Sequence, residues 1–406
     1  MKNFLLQSIL IVTLAMFGLS NVATAQTQTW NKQGFSIGQN ATPSSANCNE
    51  AFMADVHRIG GQYIMYYSSK TDSGISAISY ATSPDLLTWT VQDTILSGSA
   101  DTNNREYVVG GPRLVKTNTG QYRLFYRCTQ KHSGTQEPQY HIRSAISSNG
   151  ISFVKEGVRI EIKAYQANSY FSHVGHSAFY VDQSGNFSAL LTARDTTMAP
   201  GPDKIFQSVS FDQGLSWSNF TPLYADCHDP VVITDSLGLY HVYFTHLDEF
   251  ETASSTNGVV WPATPDTLKM MDGPIQLTEG TLPQIADLGA TVDTNGTIYL
   301  FSNYHTGSGL WTDIAYYTPL ITSVSENYNN EHIAIYPNPT TGKFTVELQN
   351  PYQTMSLQIY NVLGEKVIQH KNINEIDIDL SNSPKGIYFV KVYDGTKIYT
   401  QKIVVQ

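Results

Sequence analysis

The sequence predicts an all-β chain: a five-bladed β-propeller followed by a small antiparallel β-sandwich. Three observations over its 406 residues predict this. A hairpin pattern occurs five times, each copy an apolar strand, a polar turn ending in glycine and a second strand rich in aromatic residues. A shorter turn that closes on an aromatic residue follows four of the five. The C-terminal region then changes to short alternating strands broken by Pro-Asn-Pro, Thr-Gly and Leu-Gly turns.

The first 25 residues are expected to be removed. Met1-Lys-Asn precedes an apolar run from Phe4 to Leu19, and Ala23-Thr-Ala25 places small residues before Gln26. This is the layout of a secretory signal peptide. No cysteine stands at the cleavage point to take a lipid, and no later apolar stretch approaches the roughly 20 residues needed to span a bilayer. No transmembrane segment is therefore expected.

The hairpins read Ala54-Asp-Val-His-Arg-Ile-Gly-Gly-Gln-Tyr-Ile-Met-Tyr-Tyr67, then Arg113 to Tyr126, Ala178 to Leu191, Val231 to Phe244 and Gly289 to Phe301. Their spacing of roughly 53 to 65 residues allows one four-stranded blade per copy. The second motif is Ser83-Pro-Asp-Leu-Leu-Thr-Trp89, Ser147-Ser-Asn-Gly-Ile-Ser-Phe153, Ser210-Phe-Asp-Gln-Gly-Leu-Ser-Trp217 and Ser254-Ser-Thr-Asn-Gly-Val-Val-Trp261. Asp or Asn makes the turn between the third and fourth strands, and the aromatic residue fills the gap between neighbouring sheets. These turns resemble the Asp boxes of sialidases, which implies that Asp85, Asp212, Trp89 and Trp217 mark the fold rather than the chemistry. The fifth hairpin lacks such a turn. Thr29-Trp-Asn-Lys-Gln-Gly-Phe35 is expected to supply its last strand and close the ring noncovalently.

At the other end stand Ile335-Tyr-Pro-Asn-Pro-Thr-Thr-Gly-Lys-Phe344, Leu357-Gln-Ile-Tyr-Asn-Val-Leu-Gly-Glu-Lys-Val367, Gly386-Ile-Tyr-Phe-Val-Lys-Val392 and Lys402-Ile-Val-Val. Together they resemble the C-terminal type A sorting domain of the type IX (Por) secretion system of Bacteroidetes. The resemblance implies passage through the periplasm and the type IX secretion machinery, then release or attachment at the cell surface. The expected organisation is a signal peptide over 1–25, a propeller over 26–320, a linker over 321–332 and a sorting domain over 333–406.

Composition narrows the partners. Twenty-four Lys plus Arg against 34 Asp plus Glu leave no basic surplus for nucleic acid. The 25 Tyr, 17 Phe and 5 Trp suit strands and sugar-binding surfaces alike. Three cysteines, Cys48, Cys128 and Cys227, allow one disulfide at most, and their spacing matches no metal site. Neither a P-loop, a dinucleotide fingerprint, a zinc-type His cluster nor a serine elbow is present. No cofactor is expected and no metal ligand is assigned; a structural calcium on the propeller axis is the one ion left open.

The repeats, and Tyr80-Ala-Thr-Ser-Pro-Asp-Leu-Leu-Thr-Trp89 above all, resemble the five-bladed propellers of glycoside hydrolase families 43, 32 and 117. The resemblance implies a substrate funnel lined by the starts of the innermost strands, with a base at blade one, a second Asp at blade three and an acid Glu at blade four. Alignment on the turn glycines puts Phe52, Gly111, His176, Asp229 and Asp287 at equivalent positions. Asp229 and Asp287 fit an acidic funnel. Phe52 and His176 stand where the family would carry Asp, and Glu50 lies one inward-facing step before Phe52.

The candidate catalytic residues are Glu50, Asp229, Asp287 and His176, and the candidate substrate contacts are Arg105, Arg113, His173, His228 and Tyr170. Asp229-Pro230 also reads as a turn cap, and Arg105 as the partner of Glu106. The favoured function is a secreted glycoside hydrolase acting on a poly- or oligosaccharide. Glu50 or Asp229 would be its acid, and Asp287 would assist or act as base. Two alternatives stay open. One is a polysaccharide lyase using His176 and a tyrosine such as Tyr170 on a uronate held by Arg, and the other is a non-catalytic glycan-binding propeller.

Overall fold

The computed structural model describes residues 27–37, 51–71, 73–101, 104–129, 141–161, 164–166, 169–195, 203–307, 313–320, 333–348, 355–361, 365–373, 375–393 and 398–406. Every regular element among them is a strand, and no helix there is long and apolar enough to cross a membrane.

Five antiparallel blades follow one another. Blade one runs Phe52–Ile59, Gln62–Lys70, Ser76–Ser83 and Thr90–Ser97; blade two runs Val108–Lys116, Tyr122–Thr129, His141–Ser147 and Val154–Ile160. In blade three the innermost strand is split into Ser169–Val174 and Ala178–Val181, both paired with Phe187–Asp195, before Lys204–Ser210 and Thr221–Ala225. Blade four runs Cys227–Thr234, Tyr240–His246, Glu249–Ser255 and Asp266–Asp272. Blade five has Gln284–Val292, Ile298–His305 and Asp313–Pro319.

The N-terminal strand Gln28–Ile37 completes blade five, antiparallel to Asp313–Pro319, as the sequence leads one to expect. It goes further than expected. Gln28 to Asn31 also pair in parallel with Leu268 to Met271, so blades four and five share one nine-stranded sheet.

The four Asp-box turns act alike. Asp85 Oδ1 accepts from the amides of Leu87 and Thr88, and Asp212 Oδ1 from those of Leu215 and Ser216. Asn149 and Asn257 do the same with their amide oxygens. Each turn aromatic then packs on the preceding blade: Trp89 on Phe301, Phe153 on Tyr66, Trp217 on Phe125 and Trp261 on Tyr180. Blade five has no such turn, and Trp30 of the N-terminal strand takes the place, edge-on to Tyr243 of blade four at 5.9 Å.

The C-terminal unit is a sandwich of a three-stranded and a four-stranded sheet. Phe344, Val346, Leu357, Ile359, Val390 and Ile403 form its buried core, as the period-two alternation of their strands requires.

Candidate functional site

The funnel is built from a repeated backbone irregularity. In four blades the innermost strand opens with a β-bulge: between Phe52 and Asp55, Gly110 and Arg113, His228 and Val231, and Ala286 and Gly289. Each bulge holds one residue at positive φ: Met53 at 59°, Gly111 at 58°, Asp229 at 52° and Asp287 at 50°. Such a conformation costs a non-glycine residue about 1–3 kcal/mol, and such residues cluster at functional sites. The bulge aims these side chains at the axis. A Cβ on Gly111 would lie 3.1 Å from His176 Cδ2 and 3.6 Å from the Met53 sulfur, so a side chain there would press on the buried His176. In blade three the corresponding place is the break between the two half-strands, occupied by Gly175, His176 and Ser177. The blade-one position aligned from sequence as Phe52 is therefore Met53, because the Gly60-Gly61 turn between paired Ile59 and Gln62 is shorter than the turns of the other blades, where Lys116 pairs with Tyr122, Thr234 with Tyr240 and Val292 with Ile298.

Three carboxyl groups gather on the blade four and five side. Asp229 accepts from His228 Nδ1 at 3.0 Å, while its own amide donates to Thr192 Oγ1 at 2.9 Å. His228 Nε2 lies 3.4 Å from Glu279 Oε2. One donor atom each from His228, Asp229 and Glu279 lies within 4.8 Å of the others, as is true of His176, Asp229 and Asp287. Asp287 Oδ2 accepts from Asn303 Nδ2 at 2.6 Å, and Asn303 Oδ1 accepts from the Met53 amide at 2.8 Å, tying the bulges of blades five and one together.

The charges divide sharply. Burial pushes the Glu279 carboxyl up, and the neighbouring charges of Asp229 and Asp287 add to it, reaching about 8. Its Oε2 is buried and accepts no hydrogen bond from the described residues. Burial would also raise Asp229, but the hydrogen bond and charge of His228, with His176 and Arg127, hold it down to about 2. Burial disfavours a charged His228, yet its bond to Asp229 and the charges of Asp229 and Glu279 prevail and raise it to about 9. Burial and neighbours thus favour the protonated form of Glu279, the cationic form of His228 and the ionised form of Asp229.

His176 sits beneath this group, 1% exposed. Its Nδ1 is 3.5 Å from Asp287 Oδ1 and 3.4 Å from Arg113 Nη2, and burial first, then Arg113, depresses its pKa. It is a floor residue whose burial disfavours the charged form. Arg113 is not the substrate contact expected from sequence. It is 2% exposed, donates to the carbonyls of Ala54 and Leu288, and faces Asp55 at 3.9 Å, so it plugs the axis between blades. Arg105 is likewise spent elsewhere: it makes a two-pronged pair with Glu161 at 3.1 and 2.7 Å, not with Glu106. Glu106 instead meets Arg143, Lys155 and the Tyr126 hydroxyl. Tyr170 and His173 lie on the upper half-strand of blade three, with their side chains outside the described residues, as is Glu50 altogether. Asp229, as an acid, is also corrected, since a carboxyl held near 2 keeps no proton at neutral pH.

Glu279 escaped sequence reasoning. It precedes the inner strand of blade five, in the loop Leu277-Thr-Glu-Gly-Thr-Leu-Pro283, and its amide donates to the Asp248 carbonyl. The available signal was a lone carboxylate in a Gly- and Pro-bearing loop feeding an inner strand. His176, Asp229 and Asp287 are the residues on which an axial calcium would have to rest. Calcium takes six to eight oxygens; here it would find two carboxylates, an imidazole and the Arg113 guanidinium alongside, which is a poor fit.

Comparison with known proteins agrees with these two units. Residues 334–406 match the secretion system C-terminal sorting domain, which directs the chain through type IX secretion to the cell surface or the extracellular space. The propeller shares its fold with family 43 glycosidases. It is similar to a GH43 β-1,3-galactosidase at 13% identity and a TM-score of 0.52, over 70% of this chain and 94% of that one. An exo-β-1,3-galactanase of Phanerochaete chrysosporium gives 12% and 0.51, over 92% and 100%. An α-L-arabinofuranosidase of Lactobacillus brevis gives 10% and 0.51, over 66% and 90%. Separately, 76 residues are 37% identical to ulvan lyase NLR42 of Nonlabens ulvanivorans. That stretch is 18% of this chain, and the chain spans only 14% of the lyase.

Proposed function

We propose that the propeller is a secreted glycoside hydrolase in which Glu279 is the general acid and Asp229 the paired ionised carboxylate. The observation that carries this reading is two adjacent carboxyls in unlike settings: Asp229 accepts from His228 Nδ1 at 3.0 Å, whereas Glu279 Oε2 is buried with no hydrogen bond from the described residues, so one is pushed down and the other up. Glycosidic cleavage needs one carboxyl that keeps its proton at working pH and one that has lost it. Glu279 would protonate the leaving oxygen. His228 holds Asp229 ionised and oriented, and Asp287, fixed by Asn303, supplies a further carboxylate at the same funnel.

The spacing bears on stereochemistry. Paired carboxyls stand about 5–5.5 Å apart in retaining enzymes and about 6.5–9.5 Å apart in inverting ones. One oxygen each of Asp229 and Glu279 lies within 4.8 Å of the other, and the first-formed anomer decides whether Asp229 acts as nucleophile with retention or as base with inversion.

The test is to incubate the secreted protein with marine and plant polysaccharides, following reducing ends, unsaturated uronates by ultraviolet absorbance and the first-formed anomer by NMR. Reducing ends without unsaturation are expected, with kcat about 10²- to 10⁴-fold lower in Glu279→Gln. Unsaturated products would replace the hydrolase by a lyase. Glycan binding without any product would leave a binding module.

A further inference from the structure

A second cluster of donors stands on the opposite face of the strand that carries His228. Cys227, His246 and Glu251 each bring one donor atom within 4.8 Å of the other two. Strand pairing, not sequence spacing, assembles them. Cys227 opens the inner strand of blade four and is the cross-strand partner of His246, the last residue of the next strand. Glu251 lies on the third strand opposite Phe244, so it shares the His246 side of the sheet. Period two turns all three away from the funnel and towards blade three, where Cys227 packs with Tyr224 and Phe244.

We propose that Cys227, His246 and Glu251 form a binding site for a thiophilic divalent cation of the zinc type, clamping the three inner strands of blade four. A thiol, an imidazole and a carboxylate are the donors zinc prefers, with bonds of about 2.0–2.3 Å, whereas calcium wants oxygen alone. Small side-chain rotations bring donors this close onto one ion. The thiol is almost enclosed, but the His246 side chain is 38% exposed and that of Glu251 23%, so an ion enters from solvent and keeps an open fourth position. Without the ion, the thiol donates to the Ala225 carbonyl at 3.0 Å and His246 Nδ1 to Glu251 at 2.9 Å. On binding, the thiol proton leaves to solvent and the thiolate sulfur takes its place on the metal. The clamp would brace a strained stretch, since Asp226 and Asp229 on either side of Cys227-His228 both hold positive φ.

The experiment is a Co²⁺ titration of the full-length protein under reducing conditions, read by the thiolate-to-metal charge-transfer band and competed with Zn²⁺. One equivalent is expected to develop the band, Zn²⁺ to abolish it and Cys227→Ser to remove it, while Cys128→Ser leaves it intact. Affinity should fall at least about ten-fold in His246→Ala and in Glu251→Gln, both half-exposed positions that keep the variant folded if Cys227→Ser does not. No band, a band that survives Cys227→Ser, or unchanged affinity in both other variants overturns the proposal. Glycan turnover does not enter this readout, so it stands or falls apart from the hydrolase reading.

Discussion

The rim and the funnel of the propeller are both repeated structures, but repetition serves opposite ends in them. At the rim, Asp85, Asn149, Asp212 and Asn257 occupy one turn geometry and do one job, accepting from two amides that follow. At the funnel, Met53, Gly111, Asp229 and Asp287 also share one geometry, the positive-φ bulge, yet they are four places with three chemistries. A repeated backbone there aims different side chains at one point. The rim therefore spends its residues on closure, and the funnel spends backbone strain on placement.

That division is broken most forcefully at Asp229. If the funnel is chemistry on a fixed scaffold, Asp229→Asn should lower kcat by about 10²- to 10⁴-fold while the denaturation midpoint moves little. It should also shift the pH profile. Glu279 works protonated, so activity persists below its pKa of about 8 and is lost as pH rises through it. Asp229 is one cause of that elevation, and its neutral replacement relieves Glu279. The alkaline limb of kcat/KM should then move to lower pH. A limb that stays near 8 would mean that another group sets it.

Trp89→Ala probes the other side. The ring is 9% exposed, lies edge-on to Phe301 across the seam between blades one and five, and its Nε1 donates to the Leu86 carbonyl. Truncating a buried Trp costs about 3–5 kcal/mol. The loss should appear in the urea midpoint, with kcat per folded molecule unchanged. A fall in kcat would show that the seam transmits to the funnel.

The same division explains what the sequence disclosed. The rim was legible because its aromatic residues and turn formers recur in order, and the strand Gln28–Ile37 could be assigned to blade five because one blade lacked its fourth strand. Trp30 as its wedge was not legible, since it belongs to no turn motif. Asp229 and Asp287 were found by alignment on glycines far along each hairpin. Met53 was missed by one residue because the alignment was anchored on turn glycines, and the blade-one turn between Ile59 and Gln62 is tighter than those of the other blades. Arg113 was read as a substrate contact; its burial and its bonds to Ala54 and Leu288 carbonyls depend on three blades meeting, which no single repeat encodes. Glu279 required knowing that the loop of blade four ends beside the bulge of the same blade.

Arg105 marks where neither region reaches. It lies before the inner strand of blade two, and its partner Glu161 follows the outermost strand of that blade. Both side chains are more than a third exposed, at 45% and 40%, and solvent screens such a pair to about 0–1 kcal/mol even with two hydrogen bonds. Arg105→Ala should therefore leave the urea midpoint within about 1 kcal/mol of the parent and leave kcat/KM unchanged on neutral and acidic glycans alike. Comparison of the two glycan classes at low and high salt makes the test sharp. A guanidinium that recognised a sugar carboxylate or sulfate would show a loss confined to the acidic glycan and greatest at low salt. That result would extend the funnel's chemistry outward along blade two, because Arg105 would have to leave Glu161 for the substrate.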